Sequence, residues 1–391
     1  MDNASTDTSE IQYPYERPVL KILGLGGGGC NAINRMIEFG IRGVDFIAAN
    51  TDYQVLQSNP APCKIQLGPR LTRGLGAGGK PEIGQAAAEE SLKELTQALE
   101  GASMVFLTAG MGGGTGTGAI PIAAQAARSV GAVTVAIVTT PFSFEMGRRQ
   151  KNASEGLKKL QPHTDTLITI PNDKLLCLAP RNMPIETAFH IADDVLRQAV
   201  QGITELITRV GIVNVDFAHV RRLMQQGGGT YLSIGHGQGE LKALKAVDQA
   251  LHHPLLDSIP VENATGIIAN FTGGTDLTLF EVSEALSNLQ AQTNFNAEIV
   301  MGVNQDSQLE GRVQLILVMT GIGAPTLEEV LIGAKSINQP PKSDAYEPNV
   351  EEATIEKLEE RSLFPQMGNL ASDLDIPAFL RRRMRTINSE D

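Results

Sequence analysis

Several features are scarce in this chain of 391 residues, and each absence excludes a class of protein. It has no tryptophan and only 4% aromatic residues, so it offers few platforms on which single-stranded nucleic acid could stack. Its three cysteines, Cys30, Cys63 and Cys177, form no CxxC pair, which argues against a disulfide framework and for reduced thiols in a cytosol. No apolar run approaches the roughly eighteen residues of a membrane span, and the polar first residues lack the apolar stretch of a signal peptide.

Basic charge is also scarce. The formal net charge is −12, which disfavours a general nucleic-acid binder because phosphate contact needs clustered Lys and Arg. Hydrophobic residues make up 42% of the chain and charged residues 19%, as in ordinary globular proteins. The length allows about two domains.

Short apolar segments alternate with segments of helical spacing through the first half of the chain. The predicted strands are 19–23, 45–50, 104–108, 134–139 and 166–170, and the predicted helices are 31–39, 82–99 and 120–130. This alternation predicts βαβ units around a parallel sheet. Apolar residues with helical periodicity then cross 184–210, which predicts one long helix.

The second half repeats the alternation and then changes character. Predicted strands at 231–234, 266–271, 297–303 and 313–319 and helices at 240–252 and 280–290 indicate a second α/β domain. Residues 331–372 are acidic, rich in proline and poor in large apolar groups, which predicts a disordered linker. We expect 373–391 to be a partner-binding peptide on that tether, because LDIPAFL is apolar and RRR follows it; a basic tail without a partner is the alternative.

Two glycine loops match nucleotide-binding patterns in part. Gly24-x-Gly26-x-x-Gly29 fits the dinucleotide fingerprint between a strand and a helix, and Asp52 lies near the spacing of a ribose-binding carboxylate; a turn used only for packing is the alternative. Residues 74–81, GLGAGGKP, nearly match a P-loop. Pro81 replaces the final Ser or Thr and provides no hydroxyl for Mg²⁺, so a Walker-type NTPase is disfavoured.

The third loop, GMGGGTGTG at 110–118, follows a predicted strand and precedes a helix. Backbone N–H groups there can converge on an anion at the positive end of the helix, and Thr115 and Thr117 add hydroxyl donors. Loops at the carboxyl ends of neighbouring strands line one crevice in open α/β sheets. The residues alone therefore predict a site for a phosphate-rich nucleotide whose base stays unspecified.

The segment GGGTGTG also resembles the signature of the tubulin superfamily, and its surroundings resemble the bacterial FtsZ family of cell-division GTPases. The supporting stretches are GLGGGGCNA (24–32), AANTD (48–52), GLGAGG (74–79), TAGMGGGTGTGA (108–119), PFSFE (141–145), ITIPNDKLL (168–176), AFHIADDVL (188–196), ELITRVGIVNVDFA (205–218) and LDIPAFLRR (374–382). The likeness runs from residue 18 to 325 and resumes at the tail.

This resemblance implies an α/β, tubulin-like fold. Its parts would be a flexible extension (1–17), a Rossmann-type GTP-binding domain (18–183), a central helix with the start of an activation loop (184–213), a C-terminal α/β domain (214–330), the disordered linker (331–372) and the tail (373–391). It implies a GTPase that polymerises head to tail into protofilaments, forms the cytokinetic ring and hydrolyses GTP at subunit interfaces. The implied location is the cytoplasm beneath the membrane at the division site. The implied partners are further copies of the chain and, through Asp375–Arg383, membrane-tethering and regulatory division proteins, with neither nucleic acid nor a direct membrane span.

The family motifs imply a residue set for GTP or GDP, with Mg²⁺ held by phosphates and water and no protein metal site. The residues implied to bind the nucleotide are Gly27, Gly28, Gly29, Cys30, Asn31, Asn50, Thr51, Ala77, Gly78, Gly79, Gly112, Gly113, Gly114, Thr115, Gly116, Thr117, Gly118, Glu145, Arg149, Asn172, Phe189 and Asp193. Of these, Asn172, Phe189 and Asp193 match the guanine pocket, and a carboxylate suits guanine because it accepts from N1–H and the 2-amino group. Phe189 as a core residue, and Glu145 with Arg149 as an ion pair one helical turn apart, are the alternatives.

The implied catalytic loop carries Asn214, Asp216 and His219. The family usually has an aspartate where this chain has His219, so one of two carboxylates that act on a neighbour's γ-phosphate is missing. We expect slower hydrolysis than in a typical member, because phosphoryl transfer depends on positioning and electrostatics. A filament former with negligible turnover and an NAD-dependent dehydrogenase built on Gly24–Gly29 are the alternative functions.

Overall fold

A computed structural model describes residues 18–145, 147–176, 183–208, 213, 215–227, 229–253 and 261–322. The predicted extension at 1–17, linker at 331–372 and tail at 373–391 lie outside the described residues. Within the described ranges, no helix combines the length and the apolar character that crossing a bilayer would require.

The first half of the chain is a parallel sheet covered by helices. Its strands are β1 (Leu20–Leu25), β2 (Asp45–Asn50), β3 (Cys63–Gln66), β4 (Met104–Gly110), β5 (Val133–Thr140) and β6 (Thr166–Pro171). Its helices are α1 (Gly26–Phe39), α2 (Tyr53–Ser58), α3 (Pro69–Thr72), α4 (Pro81–Glu90), α5 (Leu92–Leu99), α6 (Thr115–Ser129), α7 (Arg148–Leu160) and α8 (Asn172–Leu176). The strands pair in parallel in the order β3-β2-β1-β4-β5-β6, which confirms the predicted parallel sheet.

One long helix, α9 (Ile185–Thr208), follows this sheet, as the periodicity of 184–210 predicts. Its buried residues Leu196, Val200 and Ile203 belong to an apolar core that includes Ile137 of β5 and Ile268 from the second half of the chain. At about 1.5 Å per residue, the 24 residues of α9 span about 36 Å.

The second half has a mixed sheet with its own apolar core. It contains α10 (Phe217–Gln225), β7 (Thr230–Gln238), α11 (Lys242–Leu251), β8 (Gly266–Gly273), α12 (Leu279–Gln292), β9 (Glu298–Gln305) and β10 (Arg312–Thr320). β10 is antiparallel to both β7 and β8, and β9 is parallel to β8. One parallel pair, Ile168 with Thr230, joins this sheet to the first.

Several features of the helices differ from the sequence prediction, which did not include α2, α3, α7, α8 or α10. The predicted helix at 82–99 is wrong as a single element, because it is divided at Ser91 into α4 and α5. The Ser91 hydroxyl donates to Gln66 O and accepts from Gly68 N, so it ties the break to the neighbouring strand. The predicted starts at 31 and 120 are late, because α1 begins at Gly26 and α6 at Thr115.

Two of these helices, α4 and α6, approach each other through glycine. A Cβ built on Gly84 of α4 would lie 2.3 Å from the Gly114 carbonyl oxygen, and one on Gly118 of α6 would lie 2.0 Å from Pro81 O. Such distances leave no room for a side chain, so the backbones of α4 and α6 are in direct contact.

We predict that Gly84→Ala lowers the free energy of unfolding by about 1–3 kcal/mol, because the methyl group overpacks this contact. Gly27→Ala is the matched control: Gly27 lies in α1, and a Cβ added to it would meet no atom within 4 Å, while alanine favours a helix over glycine. Urea denaturation without nucleotide measures both variants. Equal stability of the two would contradict the packing argument.

Candidate functional site

The carboxyl ends of the neighbouring strands β1 and β4 lead into helices whose first turns lie side by side. Gly26 opens α1 with a φ of +68°, and a Cβ on it would lie 2.7 Å from the Gly116 nitrogen. A Cβ on Gly28 would lie 3.0 Å from Gly110 N. The two turns therefore meet as bare backbone, which places their first N–H groups close together.

Neither of these helix starts is capped by a side chain. The residue before α1 is Leu25 and the residue before α6 is Gly114, and neither makes a side-chain capping hydrogen bond. Two uncapped N-termini leave unsatisfied N–H donors and two positive dipole ends at one place. This geometry fits an anion such as a polyphosphate.

The loop before α4 closes the third side of this crevice. A Cβ on Gly114 would lie 2.9 Å from the Ala77 Cβ and 2.8 Å from Lys80 N. Asn152 of α7 donates to Gly79 O at 3.4 Å and to Gly112 O at 3.2 Å. The three glycine loops are thus in contact with one another, as predicted for loops at the carboxyl ends of neighbouring strands.

Polar residues at the end of β2 support the same crevice. Thr51 Oγ1 lies 2.6 Å from Thr115 Oγ1, in the first turn of α6, and buried Asn50 lies with its Nδ2 3.9 Å from Cys30 Sγ. Asp52, which the dinucleotide pattern assigned to a ribose, caps α2 instead: its Oδ1 accepts from Gln54 N and Val55 N.

Cys30 is a packing residue of the crevice floor. Burial, opposed by hydrogen bonds to Asn50 and Ala49, raises the pKa of its thiol to about 12. The thiol therefore stays protonated and unreactive at neutral pH.

A second group of the expected residues lies where β5 and β6 end. Asn172 begins α8 and is buried, and its Oδ1 has no hydrogen-bond partner within the described part of the chain. Phe189 of α9 is 39% exposed and packs edge-on against Phe142, with ring centroids 5.2 Å apart. An unpartnered buried acceptor and a partly exposed aromatic ring at this end of the sheet fit a flat, hydrogen-bonding base.

Asp193 lies one turn after Phe189 on α9. Its Oδ2 accepts from Arg35 Nε of α1 at 3.1 Å, and burial raises the pKa of its carboxyl to about 6 against the opposing effect of Arg35. Sequence reasoning missed Arg35. A signal was available, because Arg35 follows Asn31 by four residues and so shares its helix face.

Glu145 and Arg149 form the ion pair that the alternative interpretation described. Arg149 donates to Glu145 Oε2, and Glu145 Oε1 accepts from Phe142 N at 2.9 Å. A Cβ on Gly112 would lie 2.9 Å from Arg149 O, so this pair lies against the third glycine loop.

The expected catalytic residues lie apart from the crevice. Asp216 is exposed and caps α10, with its side chain accepting from Ala218 N at 3.0 Å. His219 is exposed in the first turn of α10, and Asn214 lies outside the described residues. Three other contacts hold this region in place. Thr208, which ends α9, lies against Gly43 just before β2. Thr166 at the start of β6 donates to Met224 O at 2.5 Å, and Val213 forms a β-bridge with Val303.

These contacts place the segment with Asp216 at the amino edge of the first sheet, whereas the glycine loops lie at its carboxyl edge. As for metals, in the ranges that the structure covers no three His, Cys, Asp or Glu side chains group as ligands would.

Comparisons with known proteins agree with this architecture. The model for the Tubulin/FtsZ family, GTPase domain, matches residues 19–180, and that for the FtsZ family, C-terminal domain, matches residues 228–323. The cell division protein FtsZ 1 of Thermococcus kodakarensis is 49% identical over 304 residues, which cover 78% of this chain and 81% of that protein.

Solved structures give the same result. An empty FtsZ dimer from M. jannaschii is 46% identical with a TM-score of 0.75, and the match covers 78% of this chain and 89% of that one. CetZ2 from Haloferax volcanii, a GTPγS-bound protofilament, is 22% identical with a TM-score of 0.69 over 81% of this chain and 98% of that one, which supports the fold alone.

We predict that Asp193→Asn weakens GDP binding by about tenfold to a hundredfold, because a hydrogen bond to a charged group is worth about 1.5–3 kcal/mol. Asp194→Asn is the matched control: Asp194 is adjacent on α9, but its Oδ1 accepts from Arg197 Nε at 2.7 Å. Isothermal titration calorimetry with GDP at pH 7.5 measures both. Unchanged affinity in Asp193→Asn would contradict the assignment of the base pocket.

Proposed function

The chain belongs to the Tubulin/FtsZ family, and from that premise we propose that it binds GTP in the glycine crevice and hydrolyses it only between two subunits of a head-to-tail filament. It is a GTPase of a filament-forming family with a role in cell division. We infer that its filaments build the cytokinetic ring.

The proposed nucleotide contacts follow the crevice from phosphates to base. Gly27–Asn31 and Gly112–Gly118 line the phosphates, Ala77–Gly79 face the γ-phosphate, and Asn50 and Thr51 lie beside them. Within the third loop the donors are the N–H groups between Gly112 and Gly118, because Gly112 N donates to Thr117 Oγ1 at 2.7 Å and Gly118 N to Gly114 O at 3.0 Å. The uncapped starts of α1 and α6 support this assignment.

The proposed base contacts come from α8 and α9. Asp193 would accept from the N1–H and 2-amino group of guanine, the Asn172 amide would hydrogen-bond to the base, and Phe189 would contact its face. Glu145 is engaged by Arg149 and Phe142 N, so we propose that it orients Arg149 toward the ribose and phosphate side. The exposed ring of Phe189 supports a contact with a ligand over a purely structural role.

The separation of Asp216 from the crevice carries the proposal that hydrolysis is shared. α9 carries Asp193 near one end and ends at Thr208, which contacts Gly43 at the opposite edge of the sheet. The 15 residues of α9 from Asp193 to Thr208 span about 22 Å and separate base recognition from the segment with Asp216. Asp216 can therefore act on a γ-phosphate only when it belongs to the next subunit, with the role of positioning the attacking water.

The structure supplies no cluster of carboxylates for a cation among the described residues. We propose that Mg²⁺, whose role is to neutralise phosphate charge, is bound through the phosphates and water. Asp375–Arg383 would dock membrane-tethering and regulatory division proteins and so place filaments beneath the membrane at the division site.

We also propose that the chain divides functionally as its sequence suggests. Residues 18–183 would bind nucleotide, 184–213 would form the central helix and the start of the activation loop, and 214–330 would supply the loop and C-terminal domain to the neighbour. The separate apolar core of the second half supports this division.

Mixing two inactive variants tests the shared site. We predict that Asp216→Asn binds GTP but does not hydrolyse it, because each neighbour lacks the carboxylate. Asp193→Asn, at a GTP concentration too low to fill its weakened pocket, is also inactive. The mixture should regain phosphate release, because a filled site of the first variant is then covered by Asp216 of the second.

The matched control is Asp216→Asn mixed with the double variant Asp193→Asn/Asp216→Asn, which should stay inactive. Phosphate release and light scattering are followed together, so that assembly is known in every mixture. Hydrolysis by Asp216→Asn alone, or an inactive first mixture that nevertheless assembles, would overturn the shared site.

His219→Asp tests the departure from the family loop. Restoring the second carboxylate should raise GTP turnover by about a hundredfold, the low end of the range for a positioned acid–base group, while GDP affinity is unchanged because α10 lies away from the crevice. His219→Asn controls for removal of the imidazole alone. Equal GTP turnover in the unchanged protein and both variants would show that this position does not limit hydrolysis. Assembly without detectable phosphate release in any of the three would favour a structural filament.

A further inference from the structure

A polar cluster lies between α1 and α9, next to the base pocket. Arg35 is its centre: its Nε lies 3.1 Å from Asp193 Oδ2, and its Nη2 lies 3.4 Å from His190 Nε2. His190 Nε2 in turn lies 3.6 Å from Glu186 Oε1. The side chains of Arg35 and Asp193 are only 20% and 15% exposed, so this ion pair is shielded from water.

The pair uses one oxygen of the Asp193 carboxylate and leaves the other available. Arg35 of α1 contacts Oδ2 of Asp193, which lies on α9. This contact between two helices restricts rotation of the Asp193 carboxylate group. The remaining oxygen and lone pairs can accept from the N1–H and 2-amino group of guanine. Adjacent Asp194 is different, because Arg197 and Gln198 both donate to it.

We propose that Arg35 is a positioning residue for guanine recognition: it holds Asp193 ionised and oriented, and thereby sets the lower pH limit of nucleotide binding. This inference rests on the proposed function, since it assigns to Asp193 the contact with the base. Arg35 is not among the residues proposed above to contact the nucleotide.

The electrostatics of the cluster give the direction of the effect. Burial raises the pKa of Asp193 to about 6, Arg35 opposes that rise by its charge and hydrogen bond, and the Asp194 carboxylate adds to it. His190 contacts Arg35, and Glu186 contacts His190. Because only the ionised carboxylate accepts from both guanine donors, affinity is complete above the pKa and is lost as the pH falls through it.

Removal of Arg35 should therefore move the loss of affinity to higher pH. A neighbouring arginine lowers the pKa of an aspartate by about 1–3 units, so the midpoint should rise by a similar amount. The unchanged protein should bind GDP about fourfold more weakly at pH 5.5 than well above pH 6, as a pKa of about 6 requires.

The experiment is calorimetric titration of the full chain with GDP, and in parallel with IDP, which lacks the 2-amino group, between pH 5.5 and 8.5. Arg35→Gln removes the charge, Arg35→Lys keeps it, and Arg42→Gln is the matched control, since Arg42 is exposed just beyond α1. Circular dichroism at each pH checks that the variants are folded, and Arg35→Lys keeps the test valid should Arg35→Gln not fold.

The expected result for Arg35→Gln is GDP binding that is weaker than in the unchanged protein at pH 7 and strengthens toward pH 8.5, together with reduced preference for GDP over IDP. Arg35→Lys should restore most of the low-pH affinity, and Arg42→Gln should follow the unchanged protein. A loss of affinity that is equal at every pH would overturn the inference, because Arg35 would then act on the nucleotide's charge directly. No loss in either Arg35 variant would also overturn it, whereas an unchanged protein that binds no GDP at any pH would overturn the proposed function itself.

Discussion

Contact between bare backbones is the constraint on which the rest of the structure depends. Gly26 of α1 meets Gly116 of α6, and Gly84 of α4 meets Gly114, at distances that leave no room for a Cβ. Because the helices approach so closely, their first turns are presented together and without side-chain caps. The same absence of side chains that allows the packing thus leaves the N–H groups free to bind phosphate. Stability and ligand binding have one physical origin at this site.

The long helix α9 gives the molecule its polarity. Near its start it offers Phe189 and Asp193 to the base pocket, and at its end it reaches the edge of the sheet where α10 and Asp216 lie. The proposed nucleotide site and the proposed hydrolytic loop therefore lie at opposite edges of the sheet, and we propose that two subunits contribute them as complementary halves. In a family that forms filaments, this arrangement links turnover to assembly, because the second half of each site arrives with the next subunit.

Much of this architecture could be predicted from local pattern. The strand at 45–50 and the helix within 184–210 follow from apolar periodicity alone, and the meeting of the glycine loops follows from the parallel sheet, since carboxyl ends share an edge. The break at Ser91 could not be predicted, because the hydrogen bonds that stabilise it come from residues more than twenty positions away. The same holds for the ion pair of Arg35 with Asp193, which spans 158 positions, and for the capping role of Asp52, which the spacing rule assigned to a ribose.

By itself, the sequence determined most of the strands and the main helices, where the backbone lacks side chains, and which family motifs the chain carries, because these properties depend on residue type and on neighbours along the chain. Only the tertiary structure decided which oxygen of Asp193 is held and by what, that Glu145 is already engaged by Arg149, and that Asp216 lies at the far edge of the sheet from the crevice. Those outcomes depend on the distances between side chains of separate helices and strands and on how deeply these side chains are buried. The pKa of a carboxyl and the partners that it contacts are therefore set by its packed environment and not by the order of residues.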